Sequence, residues 1–307
     1  KPMKEPQDVP FEKEGQYLKS DNRSNISYFL EHNVLLRRFT LSVGVLANYN
    51  SALNEGIHFY PGIDASYRIG DNFRLYGSWN RALRMPTFTD LYYEGKTNKG
   101  NPDLKPEESE AFEVGLKYNT YFLRAHIAGF YRKGKNMIDW VKEKPEDIWE
   151  SQNLTKVDNL GFETNLSLLP RELGNERFFI RKIELGYAFI HQDKDSEGYI
   201  SNYALDYLKH KFTAQLSHSI WKGFSATWYV RWQDRAGSYT KYENLKPAYE
   251  EPYAPYCLVD MKVNWEYQRL NLYAELNNLL NSTYYDLGNI PQPGIWFKAG
   301  FRYSFKY

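Results

Sequence analysis

The sequence has few of the residues from which catalytic, metal-binding and disulfide-bonded proteins are built. Its 307 residues include one cysteine and six histidines, and the formal net charge is only +1. Cys257 cannot form a disulfide within the chain, and the scattered histidines lack ligand spacing. Because the charge is close to zero, no overall field would attract nucleic acid. We therefore expect no disulfide scaffold, no nucleic-acid partner, and neither a cofactor nor a metal.

Long apolar runs are absent as well. No uninterrupted stretch of about 18 apolar residues occurs, so the sequence predicts no transmembrane helix. The first six residues, Lys1-Pro2-Met3-Lys4-Glu5-Pro6, lack the apolar segment of a signal peptide. We expect this start to be internal to a longer protein.

Aromatic residues, by contrast, are abundant. They make up 17% of the chain, although the mean hydropathy is −0.68. Large apolar side chains fit into so polar a chain because they are spaced out, with a period of two. Between residues 224 and 235, one alternate set is apolar: Phe224, Ala226, Trp228, Val230 and Trp232. This alternation predicts β-strands with one apolar and one polar face.

About thirteen such segments occur, most of them ten residues or longer. About 9–11 residues tilted near 45° suffice to cross a bilayer. Strands of soluble sandwiches and propellers also alternate, but they are commonly only about five or six residues long. The sequence therefore predicts an all-β fold, a transmembrane antiparallel β-barrel.

The predicted connections alternate between two classes, as periplasmic turns and extracellular loops do in outer-membrane barrels. Short joins lie at 37–38, 70–72, 119–120, 221–223 and 268–269, with a longer one from 170 to 182. Long polar loops lie near 49–57, 84–108, 135–155, 191–205, 236–254 and 281–293. This asymmetry indicates a bacterial outer-membrane location.

The last strand, 294–307, follows a long loop and should run towards the periplasm. Placing Lys298 and Arg302 in lipid would cost up to about 2–4 kcal/mol each, so the opposite face should meet lipid. That lipid face comprises Phe297, Ala299, Phe301, Tyr303, Phe305 and Tyr307. The end of the strand resembles the signal that barrels present to their insertion machinery, through Gly300, Tyr303, Phe305 and Tyr307.

An odd number of strands conflicts with the even counts of bacterial single-chain barrels. An open sheet would also leave backbone N–H and C=O groups unpaired in hydrocarbon, at several kcal/mol each. We therefore expect about nine more strands on the N-terminal side. Residues 1–23 would then be an extracellular loop segment, and 24–307 the C-terminal part of the barrel.

Three segments resemble TonB-dependent receptors. They are Asn80-Arg81-Ala82-Leu83-Arg84-Met85-Pro86-Thr87-Phe88-Thr89-Asp90-Leu91-Tyr92-Tyr93, Asn101-Pro102-Asp103-Leu104-Lys105-Pro106-Glu107-Glu108-Ser109, and Ala274-Glu275-Leu276-Asn277-Asn278-Leu279-Leu280-Asn281-Ser282-Thr283-Tyr284-Tyr285. The resemblance implies that this chain supplies about the last thirteen of 22 strands. The stretch from Arg84 to Tyr93 is most similar to vitamin B12 receptors.

The resemblance also implies partners. They are an N-terminal barrel half and a plug domain, which is absent from this chain, and a TonB-type energy-coupling complex. Outer-membrane lipid, lipopolysaccharide and the barrel insertion machinery are further expected partners, and a surface lipoprotein cap is an open alternative.

The residue pattern contains no catalytic constellation, so we expect a protein that is not an enzyme. The acidic run from Asp193 to Gly198 begins like a calcium loop, but Ala204 occupies the position of the bidentate Glu. Aromatic side chains with polar tips in the long loops suit the capture of a large, partly apolar ligand. The candidate ligand-binding residues are Arg84, Tyr92, Tyr93, Trp149, Tyr239, Tyr242, Tyr249, Tyr253 and Tyr285. An aromatic girdle at the membrane interface is the open alternative for the aromatic residues. Arg84 could equally pair with lipopolysaccharide phosphates or with neighbouring carboxylates.

The expected function is active import of a large, scarce ligand. Cobalamin or another corrinoid comes first, with a ferric siderophore or haem as the alternatives. A passive porin is the competing class, and it would have a constriction loop and no plug.

Overall fold

The computed structural model describes residues 22–51, 56–144, 146–174, 177–195, 198–201, 207–243 and 246–305. Most of the predicted loop segment 1–23 and the terminal Tyr307 lie outside these residues. Thirteen long strands dominate. They are β1 (Asn25–Leu35), β2 (Phe39–Asn50), β3 (Ile57–Ile69), β4 (Phe73–Arg84), β5 (Glu107–Asn119), β6 (Leu123–Lys142), β7 (Trp149–Leu168), β8 (Ile180–Asp195), β9 (Leu208–Ser219), β10 (Phe224–Arg235), β11 (Tyr256–Tyr267), β12 (Leu270–Asn277) and β13 (Trp296–Tyr303).

The long strands form a single antiparallel sheet in which each strand pairs with its neighbours in the sequence, from β1 through to β13. The predicted all-β antiparallel architecture and the thirteen strands are confirmed. Within the described residues, β1 and β13 each pair on one side only, so the sheet is not closed into a barrel. No helix in these ranges is long and apolar enough to cross a membrane.

Strand register keeps the two faces of the sheet chemically distinct. Leu272 on β12 lies opposite Trp265 on β11 and Phe301 on β13, which continues one apolar row across three strands. On the other face, the Glu275 carboxylate binds Lys262 Nζ at 2.7 Å and Lys298 Nζ at 3.3 Å. The predicted alternation of the last strand, with Lys298 and Phe301 on opposite faces, is therefore confirmed, and the contact of the Phe301 face with lipid stays a prediction.

The connections follow the predicted asymmetry at most positions. At one end of the sheet they are residues 36–38, 70–72, 120–122, 169–179, 220–223 and 268–269. At the other end, which we call the loop end, they are residues 51–56, 85–106, 143–148, 196–207, 236–255 and 278–295. Four of these loop-end segments are twelve residues or longer.

The predicted loop at 135–155 is wrong. β6 continues to Lys142 and β7 begins at Trp149, so only residues 143–148 connect two strands of 20 residues each. Trp149 is therefore a strand residue and not a loop residue. The polar composition of this segment suggested a loop, but a hairpin that projects beyond the apolar band meets water and needs no apolar face.

Short elements occupy several connections. A one-turn helix, α1 (Phe88–Tyr92), lies in 85–106, where Asn98–Lys99 also pairs with the start of β7. Ile200–Ser201 pairs with β6. Ser238–Glu243 pairs with Lys246–Pro252, and Tyr285–Leu287 pairs with Ile290–Pro291. The loop end is thus largely built from ordered hairpins.

Gly161 on β7 permits close contact between three strands. A Cβ at this position would overlap the carbonyl oxygen of Phe189 on β8 and the ring of Phe130 on β6. Since the carbonyl belongs to the sheet backbone, it cannot move without disturbing the ladder. Gly129 on β6 has no such neighbour, because a Cβ added there would lie 3.9 Å from the nearest atom.

We predict that Gly161→Ala destabilises the full-length protein by about 1–3 kcal/mol, as overpacking of a well-packed site does. The measurement is urea unfolding in detergent, followed by tryptophan fluorescence. Gly129→Ala is the matched control and should unfold like the wild type. Equal stability of the two variants would contradict the packing of Phe130 over Gly161.

Candidate functional site

Arg84, at the loop end of β4, is held by a carboxylate of the neighbouring strand. Its Nη2 donates to Glu107 Oε1 at 2.7 Å, and its Nε donates to Glu107 Oε2. Glu107 is only 6% exposed and also accepts a hydrogen bond from the Ile138 backbone N–H at 2.7 Å. A buried carboxylate needs such partners. Arg84 therefore serves first as the counter-charge of Glu107 in joining β4, β5 and β6.

Loop 85–106 is docked on the projecting β6–β7 hairpin. Helix α1 begins with a capping box, in which the Thr87 hydroxyl accepts from the Asp90 N–H and the Asp90 carboxylate accepts from the Thr87 N–H. The fully buried Ser151 on β7 donates its hydroxyl to the Asp90 carbonyl at 2.5 Å. These contacts fix the helix against the hairpin.

The aromatic candidates of this region, Tyr92, Tyr93 and Trp149, each make a separate contact near the loop end, and we call them the first loop cluster. The ring of Tyr93 meets Trp140 edge-on at 6.2 Å, and Tyr92 stacks on Phe88 at 6.3 Å. Lys142 Nζ lies 4.5 Å from the centre of the Trp149 ring. Tyr93 is 50% exposed, so its ring is accessible to solvent at the loop end.

A second loop cluster contains Tyr239, Tyr253 and Tyr285. The centre of the Tyr239 ring lies 5.1 Å from that of Tyr253 and 5.8 Å from that of Tyr285. These contacts join the 238–252 and 285–291 hairpins. The Tyr253 hydroxyl accepts the Gly288 N–H at 3.2 Å, and the Arg235 guanidinium lies 5.4 Å from the Tyr253 ring centre. Burial raises the pKa of the Tyr239 phenol. This cluster holds the two hairpins together.

Tyr242 and Tyr249 lie on the 238–252 hairpin but outside that cluster. They are 56% and 48% exposed, respectively. Lys241 Nζ lies 5.6 Å from the Tyr249 ring centre, and its hydrogen bond to that phenol raises the pKa of the ammonium group. The two rings are therefore accessible from solvent.

Asn278 is an anchoring residue that sequence reasoning treated only as part of a family motif. Its backbone has a φ of 51°, and its N–H donates to Asp260 Oδ1 at 2.7 Å. Its side-chain amide donates to the carbonyls of Ser282 at 2.9 Å and Pro293 at 3.2 Å. Asparagine tolerates this left-handed backbone better than most residues. An asparagine directly after a strand was therefore the sequence signal that could have indicated this turn. The residue fixes both ends of segment 278–295.

The loop end is acidic. The described residues of the six connecting segments include six lysines, no arginine and ten aspartates and glutamates, a formal charge of −4. Within the described ranges, no group of three or more His, Cys, Asp or Glu is arranged to hold a metal. This charge disfavours a strongly anionic ligand.

Three residues of the expected insertion signal, Gly300, Tyr303 and Phe305, lie on or just after β13. A Cβ at Gly300 would overlap the Tyr273 ring on β12, so the glycine also has a packing role. Tyr303 meets Phe305 edge-on at 4.9 Å. Tyr307 lies outside the described residues.

Comparison with known proteins places these features in a family. A family model described as "TonB dependent receptor-like, beta-barrel" matches residues 5–279. The vitamin B12 transporter BtuB of Vibrio vulnificus is 26% identical over 225 residues, covering 55% of this chain and 36% of the relative. The ferrienterobactin receptor of Escherichia coli is 22% identical over 297 residues, covering 87% of this chain and 38% of the relative. The chain thus spans little more than a third of the length of these relatives.

Solved structures show the same fold. A mutant of the ferric enterobactin receptor of Pseudomonas aeruginosa, in complex with enterobactin, superposes with a TM-score of 0.73 at 19% identity, covering 95% of this chain and 47% of that chain. The copper transporter OprC gives a TM-score of 0.71 at 16% identity, covering 92% and 48%. Since the family match covers most of the sequence, the chain belongs to the TonB-dependent receptor β-barrel family.

Proposed function

We propose that this chain forms part of the wall and the ligand-capturing loops of an active-transport receptor in a bacterial outer membrane. The observation that carries the proposal is the family match over residues 5–279. The sheet supports it, because one face is apolar, the other is polar, and the long connections lie at one end. An apolar outer band and a polar interior are what a membrane barrel needs.

The complete receptor contains further strands and a plug. The open edges of β1 and β13 need pairing partners, because an unpaired backbone group in hydrocarbon costs several kcal/mol. A wide barrel also needs a plug to gate its lumen. We propose that additional polypeptide supplies both, and that a TonB-type complex supplies the energy. The insertion machinery, lipopolysaccharide and a surface lipoprotein remain expected partners of this assembly.

Cobalamin or a related corrinoid is the ligand class that the loop end favours. The acidic loop end would repel a polyanionic iron chelate, whereas an overall neutral ligand meets no such repulsion. Two arginines nearby are already engaged, Arg84 by Glu107 and Arg235 by Tyr253. The identity with a vitamin B12 transporter supports the same class.

A ferric siderophore is the second candidate. The similarity to the ferrienterobactin receptor, which extends over 87% of this chain, supports this ligand class. Haem is a weaker variant of this alternative, since no separate feature of the loop end favours it. The two main candidates differ in charge, so direct binding measurements separate them.

We predict that the full-length protein, purified from outer membranes, binds cyanocobalamin with a Kd of about 10 nM or below, because a large preorganised aromatic site supports such affinity. Isothermal titration calorimetry with a parallel panel of ferric siderophores is the measurement. Saturable binding of an iron chelate alone would replace the corrinoid by a siderophore. No binding at all, with ungated conductance in planar bilayers, would indicate a porin and overturn the proposal.

We predict that Tyr242→Ala combined with Tyr249→Ala weakens cyanocobalamin binding about tenfold, since stacking rings are worth about 0.5–1.5 kcal/mol each. Thermal stability should not change, because both rings are exposed. Tyr253→Ala should instead lower stability, since it removes the ring that joins two hairpins. Tyr121→Ala, an exposed tyrosine at the opposite end of the sheet, is the matched control. Unchanged affinity in the double variant would exclude these rings from the binding site.

A further inference from the structure

The polar face of strands β1–β4 contains a cavity that the aromatic loop clusters do not explain. Its volume is about 790 Å³, which lies in the range of small-molecule sites. It lies towards the loop end, between the first residues of β1 and β3 and the last residues of β2 and β4. Its lining is rich in side-chain amides and hydroxyls, contributed by Asn25, Ser27, Asn48, Asn50, Tyr60 and Asn80.

In the amide network of this cavity, the Asn48 side-chain donors are engaged, whereas its acceptor oxygen is not. Asn48 Nδ2 donates to Asn25 Oδ1 at 2.9 Å and to Ser27 Oγ at 2.8 Å. Asn48 is only 6% exposed, yet its Oδ1 has no hydrogen-bond partner among the described residues. Both donor positions of the amide are engaged, so the oxygen is the atom available for another group.

Two further buried polar atoms near Asn48 also lack a hydrogen-bond partner among the described residues. Tyr60 is 8% exposed, and its hydroxyl has no partner in the part of the chain that the structure describes. His58, the register partner of Asn48, likewise has an unpartnered Nε2. A buried polar atom left unpaired costs about 1–3 kcal/mol. Asn48 and Tyr60 both line the cavity, and their two unpaired atoms indicate a site built for a hydrogen-bonding group.

The charge of the cavity defines the kind of group. Arg23 and Arg81 are balanced by Glu31 and Asp64, so the lining is formally neutral. Arg81 pairs with Glu108 at 3.5 Å, and Glu31 accepts from Ser42 at 2.8 Å. The available chemistry is therefore one amide oxygen and one phenol, which suits a neutral polar group better than an anion.

We propose that this cavity binds a primary carboxamide or hydroxyl group of the transported ligand. A primary amide both donates and accepts, so its N–H groups match Asn48 Oδ1 and its carbonyl matches the Tyr60 hydroxyl. The inference rests on the proposed function and deepens it, because a corrin ring carries primary amides along its edge. It places part of the specificity on the barrel wall, away from the loop aromatics.

The test uses Tyr60→Phe in the full-length protein, with cyanocobalamin as the ligand. The change removes only the phenol oxygen, so affinity should fall about three- to tenfold, the value of one hydrogen bond. Thermal stability should stay equal or rise, because an unpaired buried hydroxyl is removed. Asn48→Ala should weaken binding similarly. Tyr229→Phe and Asn264→Ala, on the polar face of β10 and β11, are the matched controls and should bind like the wild type.

A second measurement separates direct contact from an indirect effect. Monocarboxylate derivatives of cyanocobalamin, each with one ring amide hydrolysed, should bind the wild type less well than the parent. For at least one derivative, Tyr60→Phe should reduce that discrimination about threefold or more. A fall in stability with unchanged discrimination would mean that the cavity packs against protein, and it would overturn the inference.

The remaining outcomes separate the two proposals. If the wild type binds cyanocobalamin and the Tyr60 and Asn48 variants bind it equally well, the cavity proposal fails while the corrinoid assignment stands. If the wild type binds only a ferric siderophore, the corrinoid assignment fails and the amide site fails with it.

Discussion

Backbone hydrogen bonding between neighbouring strands is the interaction on which every other feature of this protein depends. It pairs β1 to β13 in one unbroken order and fixes the register. Because side chains alternate in a strand, a slip of one residue would exchange the two faces and put Lys262, Glu275 and Lys298 among the apolar rows. Register thus determines at once which surface suits lipid and which suits a polar lumen.

Beyond the apolar band, side-chain hydrogen bonds and ion pairs hold the connecting segments in place. Buried polar groups fix the loops: Glu107 holds Arg84 and the β6 backbone, Ser151 holds helix α1, and Asn278 closes the segment before β13. Because the Arg84 guanidinium is paired with Glu107, its charge is already neutralised and is not available to an anionic ligand. The exposed rings of Tyr93, Tyr242 and Tyr249 and the cavity on the polar face of β1–β4 remain accessible, and our ligand proposals rest on these two features.

The sequence was most informative where the chemistry is periodic. Alternation predicted thirteen strands and the two chemically distinct faces of β13 correctly, since successive side chains of a strand point to opposite sides of the sheet. It failed at 135–155, where the hairpin leaves that band and both faces meet water. In the structure, Arg84 and Tyr253 interact with other groups of the chain. Their positions in the sequence had suggested that both side chains could bind a ligand.

The sequence by itself determined the fold class, the order of the strands in the sheet and the family, because these follow from local alternation, connection length and motif order. Only the tertiary structure decided which loop aromatics join and which stay exposed. It also brought Asn48, His58 and Tyr60 together across β2 and β3. Single polar residues on different strands carry no local signal of their common site, since their proximity arises from cross-strand register and from burial by neighbouring segments.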